Sequence, residues 1–305
     1  MQQKRPRKRF ENVLVATDFS RHSEYAVRRA VGIPLAPHAS VHLLHVLPAG
    51  IPPKIRARIE KKAWDQIKQA ASLASAAAKA AGNIGPVVTP EVVTGQAHVE
   101  IIRRARASAV ELMVLGRHRR RAIRDLFLGS TAIRVIRNGD LPVLVVNSKP
   151  AHSYRRPLIA VDLEDTSRAV LDLALRVLES AVTTIPLVHA YNIPFEGFVL
   201  PVLSVQELYG YRREFQEKAE SGLARLLASS ADRGIRCKAV VRRDDPRRMI
   251  LREASRRRAD LITIGTHARS GLSHVLLGSV AECVIRAARC DVLVARPARF
   301  SFELP

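Results

Sequence analysis

Residues 115–146, LGRHRRRAIRDLFLGSTAIRVIRNGDLPVLVV, and residues 264–295, IGTHARSGLSHVLLGSVAECVIRAARCDVLVA, decide the reading of this chain. Each leaves an apolar run at a glycine (Gly116, Gly265) and reaches a second glycine followed by serine (Gly129-Ser130, Gly278-Ser279). Each then closes on a four-residue apolar run, VLVV or VLVA. The glycines recur 149 positions apart (265 − 116; 278 − 129). Upstream of these segments, Asp18 in VLVATDFS returns as Asp162, and His45 in VHLLHV returns as His189 in IPLVHA, each 144 positions on (162 − 18; 189 − 45). Landmarks recurring in one order at near-constant offset mark an internal duplication.

Within each repeat, short apolar runs alternate with longer helical stretches, the pattern of βαβ units around a mostly parallel sheet. Strands are predicted at 13–17, 41–46, 87–93, 112–115 and 143–146, and again at 158–161, 185–189, 237–241, 261–264 and 292–295. The runs are nearly continuous in apolar residues, as strands buried on both faces must be. Helical spacing predicts a long amphipathic helix over 54–81, closed by Gly82, and its counterpart over 204–232. The expected architecture is α/β: two tandem doubly wound domains, each with a five-stranded parallel sheet in the order 3-2-1-4-5 flanked by helices. A basic tail covers 1–10, the first domain 11–148, a Pro/Ser/Arg-bearing linker 149–156 and the second domain 157–298.

At 305 residues the chain has length for two domains, and its 47% hydrophobic share with only 5% aromatics points to aliphatic cores. No apolar run reaches the length of a membrane span, and no secretory leader is seen. The three cysteines, Cys237, Cys283 and Cys290, lack metal-site spacing, which fits a reducing cytoplasm. A formal net charge of +22 is expected to draw polyanions at low salt. RNA or another polyanion would meet the tail Lys4-Arg5-Pro6-Arg7-Lys8-Arg9, expected to be disordered, and the loop bearing Arg117, Arg119, Arg120, Arg121 and Arg124.

In a doubly wound sheet, ligands bind beyond the carboxyl ends of strands where strand order reverses. Order 3-2-1-4-5 places Asp18, after the first strand, beside Gly116, after the fourth, and Asp162 beside Gly265. The Gly-Ser pairs each open a predicted helix, whose N–H groups and dipole favour an anion.

The VLVATDFS segment, the HV ending the second strand and the G-x2-G-x9-G-[ST] spacing resemble the universal stress protein family, twice over nearly the whole chain. The resemblance implies a nucleotide-like anionic ligand, ATP or a relative, in stress response, without catalysis or with at most weak ATP hydrolysis. It implies nucleoside contacts at Ala16, Asp18 and Val46, and phosphate contacts at Gly116, Gly129, Ser130 and Thr131. In the second half the matching positions are Ala160, Asp162 and Ala190, then Gly265, Gly278, Ser279 and Val280. Arg119 and Ala268 stand where the family carries its middle glycine. A Cβ there crowds the close backbone approach that glycine allows. The apolar edges VLVV and VLVA are expected to associate as an internal pseudo-dimer, with a homodimer open.

Blander readings stand beside these. The aspartates and Ser130 and Ser279 are also candidate helix caps. His45 and His189 lack ligand partners nearby and read as hydrogen-bonded structural residues. No metal site is predicted, and no phosphate-loop, dinucleotide, metalloprotease or esterase motif occurs. The alternatives are a site for a non-nucleotide metabolite, a partner-binding scaffold, and an RNA-binding protein.

Overall fold

The computed structural model describes residues 7–81, 85–117, 130–164, 166–193, 203–228, 235–266 and 277–296. The first half runs β1 (Phe10–Ala16), α1 (Arg21–Gly32), β2 (Leu35–Leu47), α2 (Pro53–Ala80), β3 (Val87–Thr94), α3 (Ala97–Ala107), β4 (Leu112–Gly116), α4 (Ser130–Asn138) and β5 (Val143–Val146). The second half runs β6 (Pro157–Ala160), α5 (Ser167–Arg176), β7 (Thr184–Tyr191), α6 (Val205–Ala228), β8 (Arg236–Arg243), α7 (Pro246–Arg256), β9 (Leu261–Gly265), α8 (Ser279–Ala287) and β10 (Asp291–Ala295).

Each half orders its strands 3-2-1-4-5, as β3-β2-β1-β4-β5 and β8-β7-β6-β9-β10. The pairs within each half are parallel. The expectation of two separate sheets needs one refinement. β5 and β10 pair antiparallel through Val145 and Val292, Leu144 and Leu293, and Val143 and Val294, which makes a single ten-stranded sheet. An apolar edge strand left open would template further pairing, and here each half covers the other's.

Side-chain alternation along the strands builds two cores. Val13 and Val15 face α1 and α2, and Ile159 and Val161 in the second half face α5 and α6. Leu14, Met113 and Val145 face α3, α4, α7 and α8. The long α2 lays Ala63, Ile67, Ala71, Ala74 and Ala78 against the first core at spacings of three and four. Small alanines let the helix lie close to the sheet. Its predicted glycine stop, Gly82, lies outside the described residues, and the capping position is Ala81. β2 begins earlier than its apolar run because it is irregular. Phe10 pairs with Leu35 but Asn12 with Ser40, and His38 in between has φ 60.

The two halves are also joined by buried polar groups. Asp291, fully buried at the start of β10, accepts from Arg29 Nε (3.2 Å), Tyr154 Oη (2.7 Å), the Asn147 N–H (2.9 Å) and the Ser148 N–H (3.3 Å). Arg29 also stacks over the Tyr154 ring at 4.1 Å. Burial pushes the Asp291 carboxyl above the ordinary carboxylate range, and Arg29 and these donors oppose that shift. Burial likewise drives the Tyr154 hydroxyl well above its usual value, so it stays protonated and donates.

Two further arginines cross between halves. Arg117 is 1% exposed and donates to the carbonyls of Ala288 (2.9 Å) and Arg286 at the end of α8. Arg296 donates to the carbonyls of Arg137 (3.3 Å) and Gly139 at the end of α4. Each supplies donors and positive charge where a helix C-terminus has orphan carbonyls. Arg117 is therefore not a solvated loop cation for polyanions, as the charge run suggested. Nor does the basic tail wholly hang free. Arg7 donates to the carbonyls of Leu178 (3.0 Å), Glu179 (2.6 Å) and Val182 (2.9 Å), and Phe10 already belongs to β1.

The buried Cys290 adjoins this interface, and burial pushes its thiol up to about 12. Since the thiolate is the reactive form, Cys290 is expected to resist iodoacetamide at pH 8 in the folded chain and to react once urea is added. Peptide mapping checks this; rapid labelling of Cys290 in the native chain contradicts the packing described.

Candidate functional site

The site follows from parallel register. Ala16 at the end of β1 pairs with Leu115 of β4, so the turn carrying Asp18 and the exit at Gly116 emerge side by side. In the second half Ala160 pairs with Ile264, which sets the Asp162 turn next to Gly265. Ala16 also pairs with Leu44, and Ala160 with Val188, so Val46 and Ala190 lie two residues further along the neighbouring strand. Ala160 lies within the core under α3, α4, α7 and α8, and Ala16, Val46 and Ala190 pack at its rim.

The aspartates shape turns and do not cap helices directly. Asp18 Oδ1 accepts from the Ser20 N–H (3.0 Å), while Ser20 itself caps α1 by accepting from the Ser23 N–H (3.3 Å). Asp162 Oδ1 accepts from the Glu164 N–H (3.2 Å) and Ser167 Oγ (3.0 Å), and Thr166 holds the capping position of α5. These are Asx turns, in which a short carboxylate bonds the backbone two residues on. The capping role therefore moves to Ser20 in the first half, whereas Thr166 holds the position in the second without a side-chain cap bond.

The residue after each aspartate is held in the left-handed region, Phe19 at φ 60 and Leu163 at φ 66. For bulky residues this is a strained conformation, and such strain gathers at binding clefts. It arises twice, at the same place in the repeat. The histidines brace it. His45 Nδ1 lies 2.8 Å from the Thr17 carbonyl and His189 Nδ1 lies 2.9 Å from the Val161 carbonyl, in each case the residue before the aspartate. Phe19 also stacks on His45 with ring centroids 4.3 Å apart.

The glycines have unequal roles. A Cβ on Gly116 would lie 2.5 Å from the His22 carbonyl oxygen and 2.8 Å from the Ser23 nitrogen, so this glycine lets α1 start directly against β4. A Cβ on Gly265 would meet side-chain atoms alone, Val170 Cγ2 at 3.2 Å and Thr166 Oγ1 at 3.9 Å. Gly278 holds the capping position of α8 and offers no side-chain cap bond of its own. Ser279 is therefore the first helical residue and not the cap, and it is exposed, with Val280 half-buried beside it. Ser130 likewise opens α4, and Thr131 is half-buried. Gly129, Arg119, Arg120, Arg121, Arg124 and Ala268 lie outside the described residues.

Sequence reasoning missed the strained Phe19 and Leu163; their identical place in the repeat was a usable signal. It also missed the Arg29–Asp291–Tyr154 cluster, which no local pattern marks. Among the described residues no group of three His, Cys, Asp or Glu is placed to hold a metal, and no helix is long and apolar enough to cross a membrane.

Comparison with known proteins places this arrangement. A family model described as the universal stress protein family matches residues 9–147 and again 153–296. A universal stress protein of Mycobacterium tuberculosis is 30% identical over 196 residues, covering 62% of this chain. The match spans 63% of that relative's length. One of Mycolicibacterium smegmatis is 27% identical over 300 residues, covering 93% of this chain and 97% of the relative. Among solved structures, a universal stress protein from Archaeoglobus fulgidus superposes with a TM-score of 0.62 at 19% identity, covering 94% and 98% of the two chains, which speaks for the fold. With the strand order, the repeat and both family matches in agreement, this chain belongs to the universal stress protein family as a tandem two-domain member.

Proposed function

We propose that the chain is a non-catalytic, cytoplasmic receptor for a nucleotide-like anion, ATP or a relative, taken up at the strand-end clefts. One observation carries the reading: in both halves an aspartate turn followed by a left-handed residue abuts the glycine at which the next-but-two strand exits. Asp18, Ala16 and Val46, with Asp162, Ala160 and Ala190, would take the nucleoside. The helix openings at Gly129-Ser130-Thr131 and at Gly278-Ser279-Val280 would take the phosphates, where helix N–H groups favour negative charge. No residue in the described clefts forms a nucleophile–base pair, so hydrolysis beyond a weak background is not part of the proposal.

Isothermal titration of the intact chain with ATP and ADP is expected to give saturable binding. Gly278→Glu places a carboxylate at the α8 opening and is expected to weaken it at least about tenfold, or about 1.4 kcal/mol. Gly129→Glu does the same for the first half. Absence of heat with either nucleotide would sink the nucleotide reading and leave the family intact.

A second reading is favoured by Arg119 and Ala268, which stand in the sequence where the family carries its middle glycine. In it the clefts hold a non-nucleotide anionic metabolite, and mass spectrometry of small molecules that co-purify with the chain separates the two.

A further inference from the structure

The second half carries a groove of about 470 Å³ lined by Tyr191, Tyr209, Arg212, Arg213, Gln216 and Arg243. Tyr191 and Arg243 are the last residues of β7 and β8 and are register partners in the sheet. Tyr209, Arg212, Arg213 and Gln216 fall at spacings of three, four and seven along α6 and so share one helix face. A recess of about 180 Å³ continues the groove past Arg242 and shares Tyr191, Gln216 and Arg243.

This groove is distinct from the clefts described above. Successive strand residues point to opposite faces of a sheet. Ala190 packs with the core under α7 and α8, whereas Leu223 of α6 packs with the core on the other face, towards which Tyr191 turns. The strand-end lining of the groove also differs between the halves. In the repeat, Leu47 and Thr94 hold the places of Tyr191 (191 − 47 = 144) and Arg243 (243 − 94 = 149), and they are likewise register partners. Neither is aromatic or charged.

The lining dictates the ligand chemistry. Guanidinium groups match phosphate oxygens bidentately and stack on aromatic planes. Arg213 pairs with Glu217 at 2.6 Å, but it is 80% exposed, so that pair competes weakly with a ligand. The volume lies in the range of small-ligand sites. We propose that this groove is a second binding site, confined to the second half, for a small aryl phosphate. Its ring would lie on Tyr191 and Tyr209, and its phosphate would meet Arg212 and Arg243.

The test is isothermal titration of the intact chain with phenyl phosphate, run in parallel with inorganic phosphate and with phenol. Phenyl phosphate is expected to bind saturably, and each fragment at least about tenfold more weakly. Tyr191→Leu and Arg243→Thr introduce residues that the first half already carries at the same places, so the fold is expected to persist by circular dichroism. Each should weaken phenyl phosphate at least about tenfold, while Gly278→Glu leaves it unchanged. The proposal is overturned if phenyl phosphate does not bind or binds no better than inorganic phosphate. It is also overturned if binding survives both groove substitutions, or is lost with Gly278→Glu, which would put the ligand in the strand-end cleft.

Discussion

Asp291→Ala is expected to destabilise the whole chain by about 3–5 kcal/mol, the range for removing one partner of a buried ion pair. The carboxylate sits at the centre of the contact between halves. It accepts from Arg29 of the first half, from Tyr154 of the connecting segment and from the Asn147 and Ser148 N–H groups just after β5. Removing it leaves Arg29, whose side chain is 7% exposed, without its counter-charge, and it strands a buried phenol and two backbone donors. Asp291→Asn keeps an acceptor for some of these groups and is expected to lose less. Urea unfolding followed by circular dichroism reads both variants. A loss below about 1 kcal/mol for the alanine variant would mean that the β5–β10 pairing needs no polar support.

The second large effect is expected at Gly116. In Gly116→Ala the new Cβ falls 2.5 Å from the His22 carbonyl oxygen and 2.6 Å from its carbon. These are backbone atoms at the start of α1, so relief requires the helix to move. Overpacking of this kind costs about 1–3 kcal/mol, and with no flexible side chain to yield, the upper end is expected. The movement reaches the cleft as well, because Ser20 and Ser23 at the same helix start hold the Asp18 turn. Gly265→Ala is the internal control. Its Cβ meets a methyl of Val170 at 3.2 Å and Thr166 Oγ1 at an ordinary 3.9 Å, and alanine reduces the freedom of the unfolded chain, so the net change is expected to stay within about 1 kcal/mol. Equal losses at the two glycines, read as midpoints of thermal or urea unfolding, would contradict this asymmetry.

The same contrast shows what a sequence can and cannot reveal. The strands were legible because buried parallel strands need unbroken apolar runs; the runs at 112–115 and 143–146 match β4 and β5 nearly residue for residue. Repeat offsets then paired Asp18 with Asp162 and His45 with His189, and parallel register did the rest. The early start of β2 was hidden because its first residues pass through an irregular pairing with Phe10, and no hydrophobic period survives that interruption. Arg117 was misread for a related reason. In the chain it opens a run of arginines, but its partners are carbonyls 169 and 171 residues away, brought near only when β5 meets β10. Arg29, Tyr154 and Asp291 are dispersed in the same way. Long-range polar contacts leave no periodic trace, whereas burial does.

The left-handed Phe19 and Leu163 occupy a middle ground. Neither is a residue that favours positive φ, so propensity argues against the conformation found. Only the repeat, read together with the Asx turns before them, marks the position as shared architecture. Strain placed twice beside a strand-end cleft agrees with a ligand-binding role for both turns.

Native mass spectrometry of the intact chain freshly purified from cells, with and without Gly129→Glu and Gly278→Glu, reads whether both clefts receive a nucleotide-like anion. The expected result is a mass increment of nucleotide size on the unaltered chain that falls stepwise with each substitution. A bare chain that also stays bare after addition of ATP and ADP would contradict it.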